Sequence, residues 1–380
     1  MSSELWLCDM NDIYEQLYAN QYQKNIYTFL YDFLYEYKIC YPINYNHLLY
    51  EYAIDKTKVK KYDFKILAYF SGYERFWSRD PVYLYRNNDN TKVCKLFDCA
   101  DETHYLISDF LYESFFCYVL HLFEPNHIPK LYEFGLCVHP HKNGFYYIQE
   151  CISKKSYFDL LYRLSYENHL NHIKHLCELM EKLQIEYDFI HGDLHCSNIC
   201  IREDGTIVLI DFEYSMCKIN SDHYNLFKNW ELYLTFPSDS EESIKQWTLS
   251  NDSIIRNTIR HSSDMMYFVI RMLDSIETYE ENETLPSEIQ NLKMFLLSFF
   301  ILKQYDGTNI NMYKQLKNRK REIEFAIFDF FFTKSHHFFY YIMENYLIST
   351  EEIERFIRSF HPSYMKKLIT YEMEFQIFTS

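Results

Sequence analysis

Residues 189–215 read FIHGDLHCSNICIREDGTIVLIDFEYS, and they hold most of the chemistry-bearing side chains that fall close together in this chain. Two chemistries fit them. His191, His195, Cys196 and Cys200 are zinc-type ligands at i, i+4 spacing. The helix that would put both His on one face, however, has Gly192 and Asp193 inside it, and both suit a helix poorly. No second Cys or His cluster with finger spacing follows. Phosphoryl transfer asks for different groups: a carboxylate to orient the attacking hydroxyl, oxygen ligands for Mg2+, and a cation on the phosphates. Asp193 offers the first; Asn198 and Asp211 offer the second, as hard oxygen donors that suit Mg2+. Each of these residues alone is an ordinary turn former, but together they point to phosphate chemistry.

The flanking sequence supplies elements to hold them. Ile173, Leu176, Met180 and Leu183 recur at helical spacing just before the stretch. After Asn198, ICIR and TIVLID flank Glu203-Asp204-Gly205, where the glycine accepts the positive φ of a tight hairpin turn. That hairpin is expected to return Asp211 toward Asp193 and Asn198. Upstream, PVYLYR (Pro81 to Arg86), KVCKLF (Lys92 to Phe97) and GFYYIQE (Gly144 to Glu150) read as strands, with NNDN turning between the first two. A helical pattern containing Glu113, Phe116, Cys117 and Leu120 separates the second strand from the third.

At this point the residues resemble the protein-kinase-like superfamily. His191-Gly192-Asp193-Leu194-His195-Cys196-Ser197-Asn198, followed by Asp211-Phe212-Glu213, is similar to the kinase catalytic loop and metal-binding segment. The form HGDLHxxN resembles the aminoglycoside-phosphotransferase, choline-kinase and atypical-kinase branches, and LIDFEYS resembles the choline and ethanolamine kinase segment. KVCKLF is similar to the strand that carries the nucleotide lysine, here Lys95, with Glu113 as its implied ion-pair partner. YYIQECI resembles the last strand and hinge, with Gln149 at the gatekeeper-like position. SSDMMYFVIRML resembles the helix that bears the structural aspartate, here Asp264.

The resemblance implies a bilobal α+β fold: a small antiparallel β-sheet lobe over 67–150 and a larger, mostly helical lobe over 151–380. A helical extension is expected over 1–66, where Ile13, Leu17, Ile26, Leu30 and Leu34 fall near helical spacing. It implies ATP and Mg2+ as cofactors, with Asp193, Lys95 and Glu113 as catalytic residues and Asn198 and Asp211 as metal ligands. Lys95, Glu150, Ile152, Gly72 and His195 are the implied nucleotide contacts. The acceptor is a hydroxyl, either on a protein serine or threonine or on a small molecule such as an amino alcohol. The departures are specific. Gly72 alone lies where a glycine-rich loop would cover the phosphates. His195 stands in the place of a lysine, Glu213 replaces a glycine, and no A-P-E follows. These departures keep a non-catalytic, partner-binding kinase-like scaffold as a second expectation.

Bulk properties set outer limits. The chain has 380 residues with a formal net charge of −16, which argues against broad nucleic-acid binding. Among its residues are 38 Tyr, 32 Phe and only 6 Gly. The apolar runs MFLLSFFIL and FAIFDFFF are too short to span a bilayer and read as buried helices. The 11 cysteines have no repeating spacing and the first residues lack the pattern of a secretion signal, so reduced thiols and an intracellular setting are expected. The composition resembles that of kinase-like proteins of large DNA viruses, which would make the setting the cytoplasm of an infected host cell.

Overall fold

The computed structural model describes residues 65–67, 73–79, 82–98, 113, 114, 116, 117, 120, 121, 124–139, 142–153, 155–187, 189–212, 215, 218–220, 231–233, 254–303, 307–317 and 347–379. Two compact units result. One joins Met1–Lys154 with Val208–Ser238; the other joins Lys155–Ile207 with Asp239–Ser380. The chain leaves the first unit after Lys154 and returns to it over Val208–Ser238. Leu209 N–H donates to His127 O at 2.9 Å, and Asp211 pairs with Lys95, which ties that segment to the sheet.

The first unit is built on a six-stranded sheet. Its strands are β1 (Lys65–Leu67), β2 (Tyr73–Arg79), β3 (Val82–Asn87), β4 (Lys92–Asp98), β5 (Leu131–His139) and β6 (Lys142–Glu150), in the order β1-β5-β6-β4-β3-β2. All pairs are antiparallel except β1 with β5, so the expected antiparallel sheet is mixed at one edge. Of the expected helical extension, 1–64 lie outside the described residues, and Lys65 and Ile66 are strand. The NNDN turn forms between β3 and β4. Asn90 takes φ 57° and donates its N–H to Asn87 O at 2.9 Å, while Asn87 Oδ1 accepts Lys92 N–H at 2.7 Å.

β4 is buried on both faces over Cys94–Phe97, where Cys94, Leu96 and Phe97 are apolar and Lys95 is the exception. Cys94 and Leu96 pair with Ile148 and Tyr146 on one face, and Tyr83, Tyr85 and Tyr132 pack against that cluster. Lys95 and Phe97 lie on the other face with Tyr147. The helical residues Glu113, Phe116, Cys117 and Leu120 are all buried. After β7 (Ile199–Ile201) and β8 (Ile207–Leu209) in the chain come two short strands of this unit, β9 (Lys218–Asn220) and β10 (Glu231–Tyr233), which pair with each other.

The second unit is helical. α1 (Tyr157–Leu160) and α2 (Tyr166–Tyr187) come first, and α2 buries Leu170, Ile173, Leu176, Cys177, Met180 and Leu183 along one stripe. A single 3-10 turn (Cys196–Asn198) leads to β7 (Ile199–Ile201). β7 and β8 (Ile207–Leu209) flank a tight turn in which Gly205 takes φ +86° and Arg202 N–H bonds Thr206 O. Then come α3 (Ile254–Glu280), α4 (Ser287–Ser298), the strand pair β11 (Ile301–Lys303) and β12 (Asn309–Asn311), α5 (Met312–Lys317), α6 (Thr350–Arg358) and α7 (Pro362–Thr379).

The helices are pinned by polar contacts between them. Glu288 of α4 accepts the N–H of Tyr166 at 2.8 Å, an acid placed on the first turn of α2, where the helix dipole favours it. Glu181 of α2 takes Ser363 and Lys366 of α7. Ser349 and Glu352 form a reciprocal capping box on α6. The run MFLLSFFIL is only partly helical: α4 ends at Ser298 and Ile301 begins a strand. Met294 is exposed, since α4 buries Ile289, Leu292 and Leu296 on its other side. FAIFDFFF lies outside the described residues. Among those described, no helix is long and apolar enough to cross a membrane.

Candidate active site

The expected site residues fall into two clusters, one in each unit. In the first, Lys95 sits at 9% exposure in the middle of β4. Its Nζ donates to Glu113 Oε2 at 2.6 Å and to Asp211 Oδ1 at 2.9 Å. Tyr147 on β6 donates its hydroxyl to the other oxygen of Glu113, Oε1, at 2.5 Å. Burial alone would lower the Lys95 pKa, but Asp211 and Glu113 carry it well upward, so the ammonium charge is secure. Burial pushes the Glu113 carboxyl upward, but the charge of Lys95 opposes that shift, and both oxygens accept hydrogen bonds, as a carboxylate does. Burial and then Glu113 keep Tyr147 protonated, which makes its hydroxyl the donor. Asp211 adopts φ 67°, a left-handed conformation that costs a non-glycine residue about 1 kcal/mol and recurs at functional positions. The neighbouring Phe212 is buried.

The second cluster is the loop before β7. Phe189, Ile190, His191 and Leu194 are buried and anchor it, while Gly192 takes φ +79° at its bend. From α3, Asp264 Oδ2 accepts His191 N–H at 2.8 Å and its Oδ1 accepts Gly192 N–H at 3.0 Å. Asn198 Nδ2 donates to Asp193 O at 3.0 Å and to Asp193 Oδ2 at 3.3 Å. This fixes the amide so that Oδ1 is the atom a cation would take. His195 Nδ1 accepts Ser197 N–H at 3.2 Å, so the hydrogen belongs on Nε2, which stands 3.4 Å from Asp193 Oδ2. The His195 ring therefore faces the Asp193 carboxylate.

The structure thus brings Lys95, Glu113 and Asp211 together, and separately Asp193, Asn198 and His195. Gly72 and Glu213 lie outside the described residues. The N–H of Glu150 is bound to Lys130 O at 2.8 Å and that of Cys151 to Thr91 O at 2.9 Å. Glu150, the last residue of β6, and Ile152 just beyond it are both partly exposed. Tyr147 was not legible as a site residue: Tyr146 beside it carries the same hydroxyl, and only strand register separates the two.

The donor sets suit Mg2+. Asn198 and Asp211 present amide and carboxylate oxygens, and among the described residues no three of His, Cys, Asp and Glu gather as a metal-binding group. Cys196 is buried, and burial raises its thiol to about 12, which makes it a packing residue at neutral pH.

A family model for the ABC1 atypical kinase-like domain matches residues 161–245. That match covers 85 of the 380 residues, and over this stretch the chain is similar to the atypical kinases of the protein-kinase-like superfamily. No curated protein matches the chain.

Proposed function

We propose that this protein is an ATP- and Mg2+-dependent phosphotransferase acting on a hydroxyl, a divergent serine/threonine protein kinase. The observation that carries the reading is the shared lysine: Lys95 Nζ reaches both the buried Glu113 and the partly exposed Asp211. A buried Lys–Glu pair is a costly way to stabilise a sheet, since apolar residues of similar volume do at least as well. A cation poised between two carboxylates suits a site that receives polyphosphate and metal.

In this reading Lys95, held by Glu113, places the α- and β-phosphates, and Asn198 and Asp211 hold Mg2+. The metal would neutralise charge developing on the transferred phosphoryl group. Asp193 orients the acceptor hydroxyl and takes its proton. His195 Nε2–H steadies the Asp193 carboxylate. Catalysis is then mainly positioning and electrostatics. The Asp264 clasp on residues 191–192 favours the protein-kinase side of the superfamily over the small-alcohol kinases.

The test is radiolabelled transfer from ATP to protein mixtures and, in parallel, to small amino alcohols. Wild type should label protein, and Asp193→Ala and Asp211→Ala should not. Label appearing only on amino alcohols reassigns the acceptor. Equal rates in all three proteins sink the enzymatic reading and leave the scaffold; Mg-ATP raising the melting temperature without turnover then marks a nucleotide-binding scaffold.

A further inference from the structure

We infer that Tyr147 is a positioning residue for the nucleotide, its hydroxyl orienting Glu113 so that the second carboxylate oxygen faces Lys95. This rests on the phosphotransferase reading above. The geometry comes from strand register. Lys95 and Tyr147 are direct partners across the antiparallel β4–β6 ladder, so both side chains rise from the same face of the sheet. The Phe97 ring, two residues along, lies 6.1 Å from the Tyr147 ring and props it. Both rings are fully buried, and Glu113 is 3% exposed. Glu113 therefore has little recourse to water: Tyr147 takes Oε1 and Lys95 takes Oε2.

Packing alone does not account for a tyrosine here. With 32 Phe in the chain, a phenylalanine would fill the same space without burying a hydroxyl. What the hydroxyl adds is a fixed orientation. Without it, one oxygen of Glu113 faces a ring edge, and the bond to Lys95 Nζ is left to align the carboxylate. Lys95 keeps both of its carboxylate partners, but the Glu113 side of the pair is less firmly oriented.

A double-mutant cycle on Mg-ATP affinity tests the inference, with Tyr147→Phe, Glu113→Gln and the pair measured by equilibrium binding. Tyr147→Phe keeps the ring and should weaken Mg-ATP about tenfold, as expected for a lost hydrogen bond to a charged group. Because Tyr147 acts through Glu113, the double variant should bind no more weakly than Glu113→Gln alone. A tyrosine that served packing alone would leave Mg-ATP affinity unchanged when phenylalanine keeps the ring. Losses that multiply, or a Tyr147→Phe protein that binds as wild type does, overturn the inference while leaving the phosphotransferase reading intact. A wild type that binds no Mg-ATP overturns both.

Discussion

Gly192 and Asp264 are joined by a 3.0 Å hydrogen bond, backbone N–H to carboxylate, across 72 residues of sequence. The other oxygen of Asp264 holds the adjacent N–H of His191 at 2.8 Å. One side chain from the interior of α3 thereby sets the bend that presents Asp193. Asp264 is 2% exposed, so neither backbone donor has an alternative partner in water.

Replacing that clasp should cost stability and flatten a pH limb. Burial first, and Asp193 further, raise the Asp264 carboxyl to about 7 from 3.8, against the pull of the two N–H groups. The native state thus keeps a proton that the unfolded chain releases. The contribution is full below pH 3.8 and is lost as pH rises through about 7. Asp264→Asn should lose about 2 kcal/mol at neutral pH, since one oxygen is replaced by a donor. In urea titrations between pH 4 and 8 it should also lack the wild-type decline.

His169 should govern part of the acid limb. Its Nδ1 accepts Tyr157 O–H at 2.7 Å and its Nε2–H donates to Leu161 O at 2.9 Å, an arrangement that only neutral imidazole satisfies. Burial depresses its pKa to about 4 from 6.5. The contribution is present above pH 6.5 and is lost as pH falls through about 4. His169→Leu should remove that dependence from melting curves. It should cost about 2 kcal/mol at pH 7, because two buried polar partners are stranded.

Lys95→Met separates charge from shape. Glu113 would be left buried without its cation, a change expected to cost about 3–5 kcal/mol in denaturant unfolding. Turnover should fall about 10²-fold or more, as when a preorganised charge is removed from a transition state. Lys95→Met/Glu113→Gln should regain part of the stability and none of the activity. Recovery of activity would contradict the assigned role of the lysine.

Gly205→Ala is a backbone-only change. A Cβ there meets nothing within 4 Å, yet φ is +86°. The expected loss is about 1 kcal/mol in thermal unfolding, with Mg-ATP affinity unchanged.

Much of this was readable before the fold was known. The strands around NNDN, the amphipathic stripe of α2 and the turn at Gly205 follow from local chemistry: side-chain period, Asn in left-handed turns, Gly at positive φ. The HGDLHxxN and DFE stretch pointed to the protein-kinase-like superfamily, and it lies within residues 161–245, which the ABC1 atypical kinase-like model matches. Local pattern misled at MFLLSFFIL, where an apolar run was read as one helix. Residues 301–303 instead pair with 309–311, because a short apolar run satisfies either period until a partner strand decides it.

By itself the sequence determined which residues could do chemistry and which local elements carry them. Motif spacing and periodicity act over a few residues and need no partner. Only the tertiary structure decided that Lys95 answers to Glu113 and Asp211 together, that Tyr147 stands opposite Lys95, and that Asp264 holds the His191–Gly192 bend. Those relationships depend on strand register and on helices packing from distant parts of the chain. A register shifted by one residue would turn Tyr147 to the opposite face of the sheet with no change in composition or spacing.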